Sequence, residues 1–281
     1  MKFLKKMIYL LTLLISKIDQ NLKLNDIFYT LISQRKKVIK LDNLSLSFYV
    51  PNQLILYRVN TFFSKEPEII EWINNFKERG IFYDVGANIG LYSCYASKKK
   101  NTNTYSFEPS VFNLENLSKN IFINNLSDKI TIIPNPLYSK KTISEMNMSN
   151  TDLGGALSTF KEDYSYDGNK IQTIFKFRVP GATIDSLVEE YSLPYPDYLK
   201  IDVDGIEHLI LKGATKTLQQ VKSIFIEVNE NFYEHKNTIE EILLKNDFEE
   251  ISLINQNLLY SNHPFLDFLD FYLLQILQEN P

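Results

Sequence analysis

Short apolar runs alternate with amphipathic stretches along most of this chain, and their order predicts its architecture. Residues 81–85 are apolar apart from Asp84, a length that suits a buried strand. Past two glycines, Leu91, Tyr92, Tyr95 and Ala96 recur at helical spacing. Residues 104–107 then predict a second strand, 111–124 a helix and 130–134 a third strand. Two further strands, 144–148 and 171–179, flank a polar loop that contains Gly154 and Gly155. Thr183 caps a short helix reaching Tyr191, and 198–203 again suits a buried strand. Helices at 206–211 and 238–245 alternate with strands at 223–228 and 248–254, while 271–277 fits a closing strand or a terminal helix. Such alternation predicts an α/β fold, a mostly parallel twisted sheet with helices on both faces.

The first 65 residues follow another rule. Leu4, Met7, Ile8, Leu11, Leu14, Ile15 and Ile18 recur at helical spacing behind Lys2, Lys5 and Lys6. The apolar run from Met7 to Ile15 covers nine residues, short of the roughly 20 that span a bilayer. No small-residue cleavage site follows it, so a secretion signal is not expected. A second helix should begin at Asn25 or Asp26, gather Ile27, Phe28, Leu31 and Ile32 on one face, and end at the cations Arg35, Lys36 and Lys37. β-like pieces at 38–39, 44–50 and 54–57 predict a small cap sheet, and 67–77 a helix with proline in its first turn. The chain thus divides into an N-terminal extension, 1–65, of basic amphipathic helices and a small β cap, and a main domain, 66–281.

Charge sharpens that division. The chain carries a net −4, yet residues 1–42 hold nine Lys/Arg and three Asp/Glu, a net of +6, which leaves −10 for the remainder. An acidic body is a poor surface for phosphates, so no nucleic-acid partner is expected. Two readings fit the basic block. It attaches a cytoplasmic protein peripherally to the inner face of the membrane through residues 1–40, or it packs on the body or on a second copy in a homo-oligomer. The single Cys94 excludes an internal disulfide and sits among apolar residues as a core thiol, and no ligand cluster predicts a metal.

Chemistry concentrates where the first strand meets its helix, in Asp84-Val-Gly-Ala-Asn-Ile-Gly90. Gly86 permits a sharp turn, Asn88 tolerates left-handed backbone, and N–H groups at the helix start can hold a polar ligand. Glu108 ends the second strand, eighteen residues past Gly90, where a carboxylate can accept both hydroxyls of a ribose. Pro109 stops that strand because it has no N–H to donate. The dinucleotide fingerprint would need glycines at 86, 88 and 91, whereas the chain has Asn88 and Leu91, so a nicotinamide cofactor has little support. In a parallel sheet Asp84, Glu108 and Asp202 should converge at the carboxyl ends of their strands. Asp204 and Glu207 have capping-box spacing for a helix starting at Gly205, His208 fits a helix face, and His235 shows no partner.

Taken together, Asp84-Val-Gly-Ala-Asn-Ile-Gly90, Phe107-Glu-Pro109, Thr183-Ile-Asp-Ser-Leu187, Leu199-Lys-Ile-Asp-Val-Asp-Gly-Ile-Glu207 and Leu211-Lys-Gly-Ala214 follow a family order. The chain resembles the FkbM-type methyltransferases over about residues 66–255. Asp204 stands where that family usually has glutamate. The resemblance implies a Rossmann-like class I methyltransferase fold, S-adenosylmethionine as cofactor, and O-methylation of a sugar, glycan or other small-molecule hydroxyl. It implies cofactor contacts at Asp84, Gly86, Ala87, Asn88, Gly90, Glu108 and Pro109, with Asp84 on the methionine amino group and Glu108 on the ribose. Asp202, with Asp204 beside it, is the expected catalytic carboxylate, and the loop 149–170 is expected to cover the acceptor with Gly154 and Gly155 as a hinge. Two rivals stand beside this reading. One is a non-catalytic cofactor-binding protein; the other is a methyltransferase of protein or nucleic acid. Enzymes of the nucleic-acid amino type usually carry an Asn/Asp-Pro-Pro-aromatic turn where this chain has 201–205.

Overall fold

The computed structural model describes residues 2–18, 24–41, 43–254 and 257–261; the segment 271–277 lies outside them. Helices α1 (Lys2–Ile18) and α2 (Leu24–Ser33) lead into an antiparallel hairpin, β1 (Lys36–Leu41) and β2 (Leu44–Tyr49). Helices α3 (Gln53–Asn60) and α4 (Pro67–Asn74) follow. The central run is β3 (Ile81–Val85), α5 (Leu91–Lys100), β4 (Asn103–Phe107), α6 (Val111–Ile123) and β5 (Ile130–Ile133). An insertion holds β6 (Thr142–Met148), β7 (Thr159–Phe160) and β8 (Phe175–Gly181). The chain continues through α7 (Ile184–Tyr191), β9 (Tyr198–Ile201), α8 (Glu207–Lys212), α9 (Thr215–Leu218) and β10 (Ser223–Glu227). It closes with α10 (Tyr233–Lys245), β11 (Glu249–Ile254) and β12 (Asn257–Ser261).

Seven strands form the main sheet in the order β11-β12-β10-β9-β3-β4-β5. Every described pairing among β10, β9, β3, β4 and β5 is parallel, and β12 runs antiparallel between β10 and β11. The chain moves outward from β3 to β5 and returns to β9 on the other side of β3. That reversal opens a crevice at the carboxyl ends of β3 and β9, where α/β sheets bind ligands.

Four expectations change in the structure. The strands expected at 144–148 and 171–179 leave the main sheet and, with β7, form a separate antiparallel sheet ordered β7-β6-β8. Residues 54–57 are helical: Asn52 caps α3 by accepting from the Ile55 N–H, and Ile55 and Val59, four apart, are its buried face. Strand β12 was not expected, because its apolar content is only Leu258, Leu259 and Tyr260. The boundary between residues 65 and 66 falls inside one core. Leu46, Phe48, Val50, Ile55, Val59 and Phe62 are packed with Ile69, Trp72, Tyr95 and Leu117 in a single cluster. Asn120 of α6 and Asn124, which caps its end, fasten this segment further, accepting from the Tyr49 and Ser47 N–H groups.

Strand periodicity explains how the sheet serves two purposes. On one face Tyr83, Val85, Leu199, Ile201, Ile224 and Ile226 join the core with α7, α8 and α10. On the other, beneath α4 and α5, Phe82, Tyr198 and Phe225 are apolar at the amino ends. Two and four residues further along that second face the sequence turns polar, at Asp84, Lys200, Asp202 and Glu227. The face that begins as core ends as chemistry.

Candidate active site

The parallel register sets Phe225, Lys200, Asp84 and Ser106 side by side across four strands. Two residues on, Glu227, Asp202, Gly86 and Glu108 make the next row, at the carboxyl edge of the sheet. The turn after β3 is built for close approach. A β-carbon on Gly86 would lie 1.8 Å from the Asp202 carbonyl oxygen, and the glycine has φ +82°. Asn88 takes φ 49°, and Gly90 φ +81° against the Leu117 side chain. Gly86 thus lets the turn lie against the backbone that follows β9, while Gly90 lets it pack against α6.

Four N–H groups of the turn, ahead of the first turn of α5, are already engaged. Gly86 and Ala87 donate to the Phe107 carbonyl, Asn88 to Glu108 Oε2 at 2.7 Å, and Gly90 to the Ala87 carbonyl. Glu108 also accepts from the Ser110 N–H at 2.8 Å and is only 5% exposed. Burial raises its carboxyl to about 7 against the opposing pull of those N–H donors. The carboxylate thus ties the glycine turn to the turn after β4. Pro109 and Gly86 line a small, mostly apolar cleft beside it, with Phe107, Asn135, Leu137 and Met146.

Asp84 lies behind the turn and is fully buried. Its Oδ2 accepts from the Ser93 hydroxyl at 2.5 Å, and its Oδ1 stands 3.8 Å from Lys200 Nζ. Lys200 was not singled out from sequence, where it looks like one polar residue inside a buried strand. Its side chain is 1% exposed, reaches Asp202 Oδ2 at 2.8 Å and sits 5.2 Å over the Tyr92 ring. Burial would lower a lysine, but the charges of Asp202 and Asp84 outweigh it and hold Lys200 protonated above its ordinary range. The Tyr92 hydroxyl donates to Glu66 at 2.5 Å, which joins the start of α4 to the same network.

Asp202 is 35% exposed and faces the crevice. Burial pushes its carboxyl up, but the Lys200 ammonium at 2.8 Å prevails and holds it below the usual carboxylate range. Glu227 goes the other way, driven by burial and then by the charge of Asp202, up to about 10. Asp204 separates from Asp202. Its Oδ2 accepts from the Leu157 N–H at 2.7 Å instead of capping its own helix, and burial with the Asp202 charge raises it to about 7. Glu207 alone secures the turn, accepting from the Val203 and Gly205 N–H groups and pairing with His235 Nε2 at 2.6 Å. His208 packs against His235 and Phe232, and burial lowers it to about 4.

A strap from Asp152 to Ser158 crosses this edge. Asn88 and Asn113 donate to the Gly155 carbonyl, Arg58 Nε to the Gly154 carbonyl at 2.8 Å, and Asn52 to Leu153. Gly154 is not an open hinge: a β-carbon there would meet Ile55 at 2.6 Å. Its glycine is needed for packing on α3.

A family model described as "Methyltransferase FkbM domain" matches residues 84–260. Over 195 residues the chain is 25% identical to the hexuronic acid methyltransferase AglP of Haloferax volcanii, covering 68% of this chain and 74% of that protein. Among solved structures, a methyltransferase FkbM from Methylobacillus flagellatus is similar at 16% identity and a TM-score of 0.46, over 75% of this chain and 55% of that one. A precorrin-6y C5,15-methyltransferase from Geobacter metallireducens is similar at 12% and 0.43, over 70% and 87%. With its mostly parallel sheet of Rossmann-like order and its motifs on the carboxyl edge, the chain belongs to the FkbM methyltransferase family.

Proposed function

We propose that this protein transfers a methyl group from S-adenosylmethionine to a hydroxyl of a sugar or glycan. The observation that carries this reading is the edge row itself, with Gly86 and Glu108 beside an apolar cleft and Asp202 exposed on the neighbouring strand. The residues fit the cofactor. The cleft beside Glu108 is lined by apolar side chains of the kind a flat base packs on, and the buried Asn88 Oδ1 has no hydrogen-bond partner among the described residues, as a ribose hydroxyl would supply. Glu108 keeps two lone pairs for the ribose after its two main-chain bonds. Gly86, Ala87 and Asn88 would line the approach to the methionine part, Gly90 shapes the turn, and Pro109 packs on the base. Asp84 acts one step back, anchoring Lys200.

Bound S-adenosylmethionine supplies a methyl on a sulfonium, a leaving group that departs as a neutral thioether. The chain's own task is to align the acceptor and take its proton. Asp202 does both: Lys200 keeps it ionised, and its exposed side chain reaches the crevice. Asp204 fastens the strap that walls the acceptor side. A sugar acceptor is favoured by the similarity to AglP and by the polar surroundings of Asp202, which include Lys65 and, paired with it, Glu66. A protein that had lost catalysis would have no reason to keep Lys200 buried between two carboxylates, a costly arrangement.

The test is incubation with methyl-labelled cofactor and a panel of uronic-acid and neutral glycosides. Label on a sugar hydroxyl is expected. Label entering protein or RNA but no glycoside would overturn the acceptor class.

Helices α1 and α2 support a reading of place. Met7, Ile8, Tyr9, Leu10, Leu11, Leu13 and Leu14 of α1 are 43–64% exposed. An amphipathic helix with exposed apolar residues, following Lys2, Lys5 and Lys6 in the sequence, suits an anionic membrane surface. Among the described residues, no helix is long and apolar enough to cross a membrane.

A further inference from the structure

The edge row holds one carboxylate that the methyl-transfer reading leaves without a task. Glu227 ends β10, one step beyond the last paired residues Ile226 and Ile201, which places it directly beside Asp202. Both side chains leave the same face of the sheet, so the register sets the two carboxyl groups against each other, and each opposes the other's charge. Two neighbouring carboxylates served by one ammonium oppose each other's ionisation, which favours a proton on one of them. Lys200 decides which. Its ammonium lies 2.8 Å from Asp202 Oδ2 and its approach favours the ionised form there.

We propose that Glu227 is a positioning residue which enters the reaction as a neutral carboxylic acid, donating its proton to Asp202 and fixing that carboxylate between two partners. This rests on the reading of Asp202 as the acceptor's base. With Lys200 on one oxygen and Glu227 bonded to the same carboxylate, Asp202 cannot rotate freely. Its remaining lone pairs are presented to the crevice. The proton taken from the acceptor comes to Asp202, while Glu227 keeps its own throughout.

The surroundings agree on this state. Asp202, Glu207 and Asp204 face Glu227 from β9 and the turn into α8, and all three oppose a further negative charge. His235 of α10 lines the same small cavity with Glu227, Asn229 and Tyr166, but it is engaged by Glu207 at 2.6 Å. Asp202 itself is faced by Lys200 and by Lys65, the latter from the segment before α4. No cation among the described residues is paired with Glu227.

The proposal can be tested without knowing the acceptor. Carbon-13 labelling of Asp and Glu carboxyls allows each to be followed by NMR, with Glu227→Gln assigning the Glu227 signal. That signal should keep the protonated position through neutral pH and move only in alkaline solution. The Asp202 midpoint should be nearly the same in wild type and Glu227→Gln, since the amide still donates, and should rise by roughly one pH unit in Glu227→Ala. A Glu227 signal that titrates in the ordinary carboxylate range would overturn the proposal. So would an Asp202 midpoint identical in wild type and Glu227→Ala. Calorimetry with S-adenosylhomocysteine, run on the same samples, separates the two levels of inference: failure of wild type to bind sinks the methyl-transfer reading and leaves the proton assignment standing on its own data.

Discussion

The two ends of the edge row are built by different physics. At the Gly86–Glu108 end, backbone does the work: glycine and asparagine in left-handed conformations close the turn, and N–H groups from residues 88 and 110 hold one carboxylate. At the Asp202–Glu227 end, side chains from β3, β9 and β10 balance one another's charge around Lys200. The first end draws its hydrogen bonds from residues 86–110 of one stretch. The second exists only because β9 lies between β3 and β10. Local sequence can specify a turn, but a charge network needs the whole sheet to place its members.

The comparison is broken most severely at Lys200. Replacing it with methionine leaves Asp84 and Asp202 buried or half-buried with no cation, a loss of about 3–5 kcal/mol. Urea unfolding should show it, and a midpoint equal to wild type would mean that the network contributes nothing to stability. The next largest effect falls on rate. Asp202→Asn keeps size and hydrogen bonding but removes the base, and turnover should drop by roughly 10²–10⁴-fold with affinity for S-adenosylhomocysteine preserved. Normal turnover would reduce Asp202 to a structural part.

At the other end of the row, Glu108→Ala removes the acceptor proposed for the ribose, each such bond being worth roughly 1.5–3 kcal/mol. Calorimetry should find cofactor-product affinity at least tenfold weaker; unchanged affinity would leave Glu108 as a brace for Asn88 and Ser110 only. A smaller effect distinguishes the ends by pH. Glu227 is raised in the folded state from 4.5 to about 10, so the stability it contributes is complete below its ordinary range and fades as pH climbs between those values. The melting temperature of wild type should therefore fall relative to Glu227→Gln from acid to alkaline solution. A constant difference would contradict the assigned charge state.

The smallest effect is expected from the N-terminal helices. Deleting residues 1–33 should change stability by less than about 0.5 kcal/mol, because the described apolar side chains of α1 and α2 are exposed. The same deletion should abolish flotation with anionic liposomes, and equal recovery would reject the membrane reading. Deleting residues 1–65 is different. It strips Leu46, Phe48, Ile55 and Val59 from the core, and the remainder should fail to fold.

Much of this was legible beforehand. Period-2 and helical spacing placed β3, β4, β5, β9 and β10 with their helices, and Asp84 to Gly90 marked the turn. What misled was short range. Residues 54–57 look β-like until the Asn52 cap and the four-residue spacing of Ile55 and Val59 are weighed, and Asp204 has capping-box spacing but spends its carboxylate on Leu157, 47 positions away. Lys200 and Glu227 gave no signal, since a lone charge in a strand has no partner within its own segment.

The sequence by itself determined the alternation of strands and helices, the glycine turn and the carboxylates at the strand ends, because each depends on residues near one another in the chain. Only the tertiary structure decided that residues 44–62 belong to the same core as α4, α5 and α6, and that β6, β7 and β8 stand apart from the main sheet. It alone set Asp84, Lys200, Asp202 and Glu227 in contact. The charge a carboxylate carries depends on its neighbours in space, and those neighbours are fixed by the order in which the strands pair.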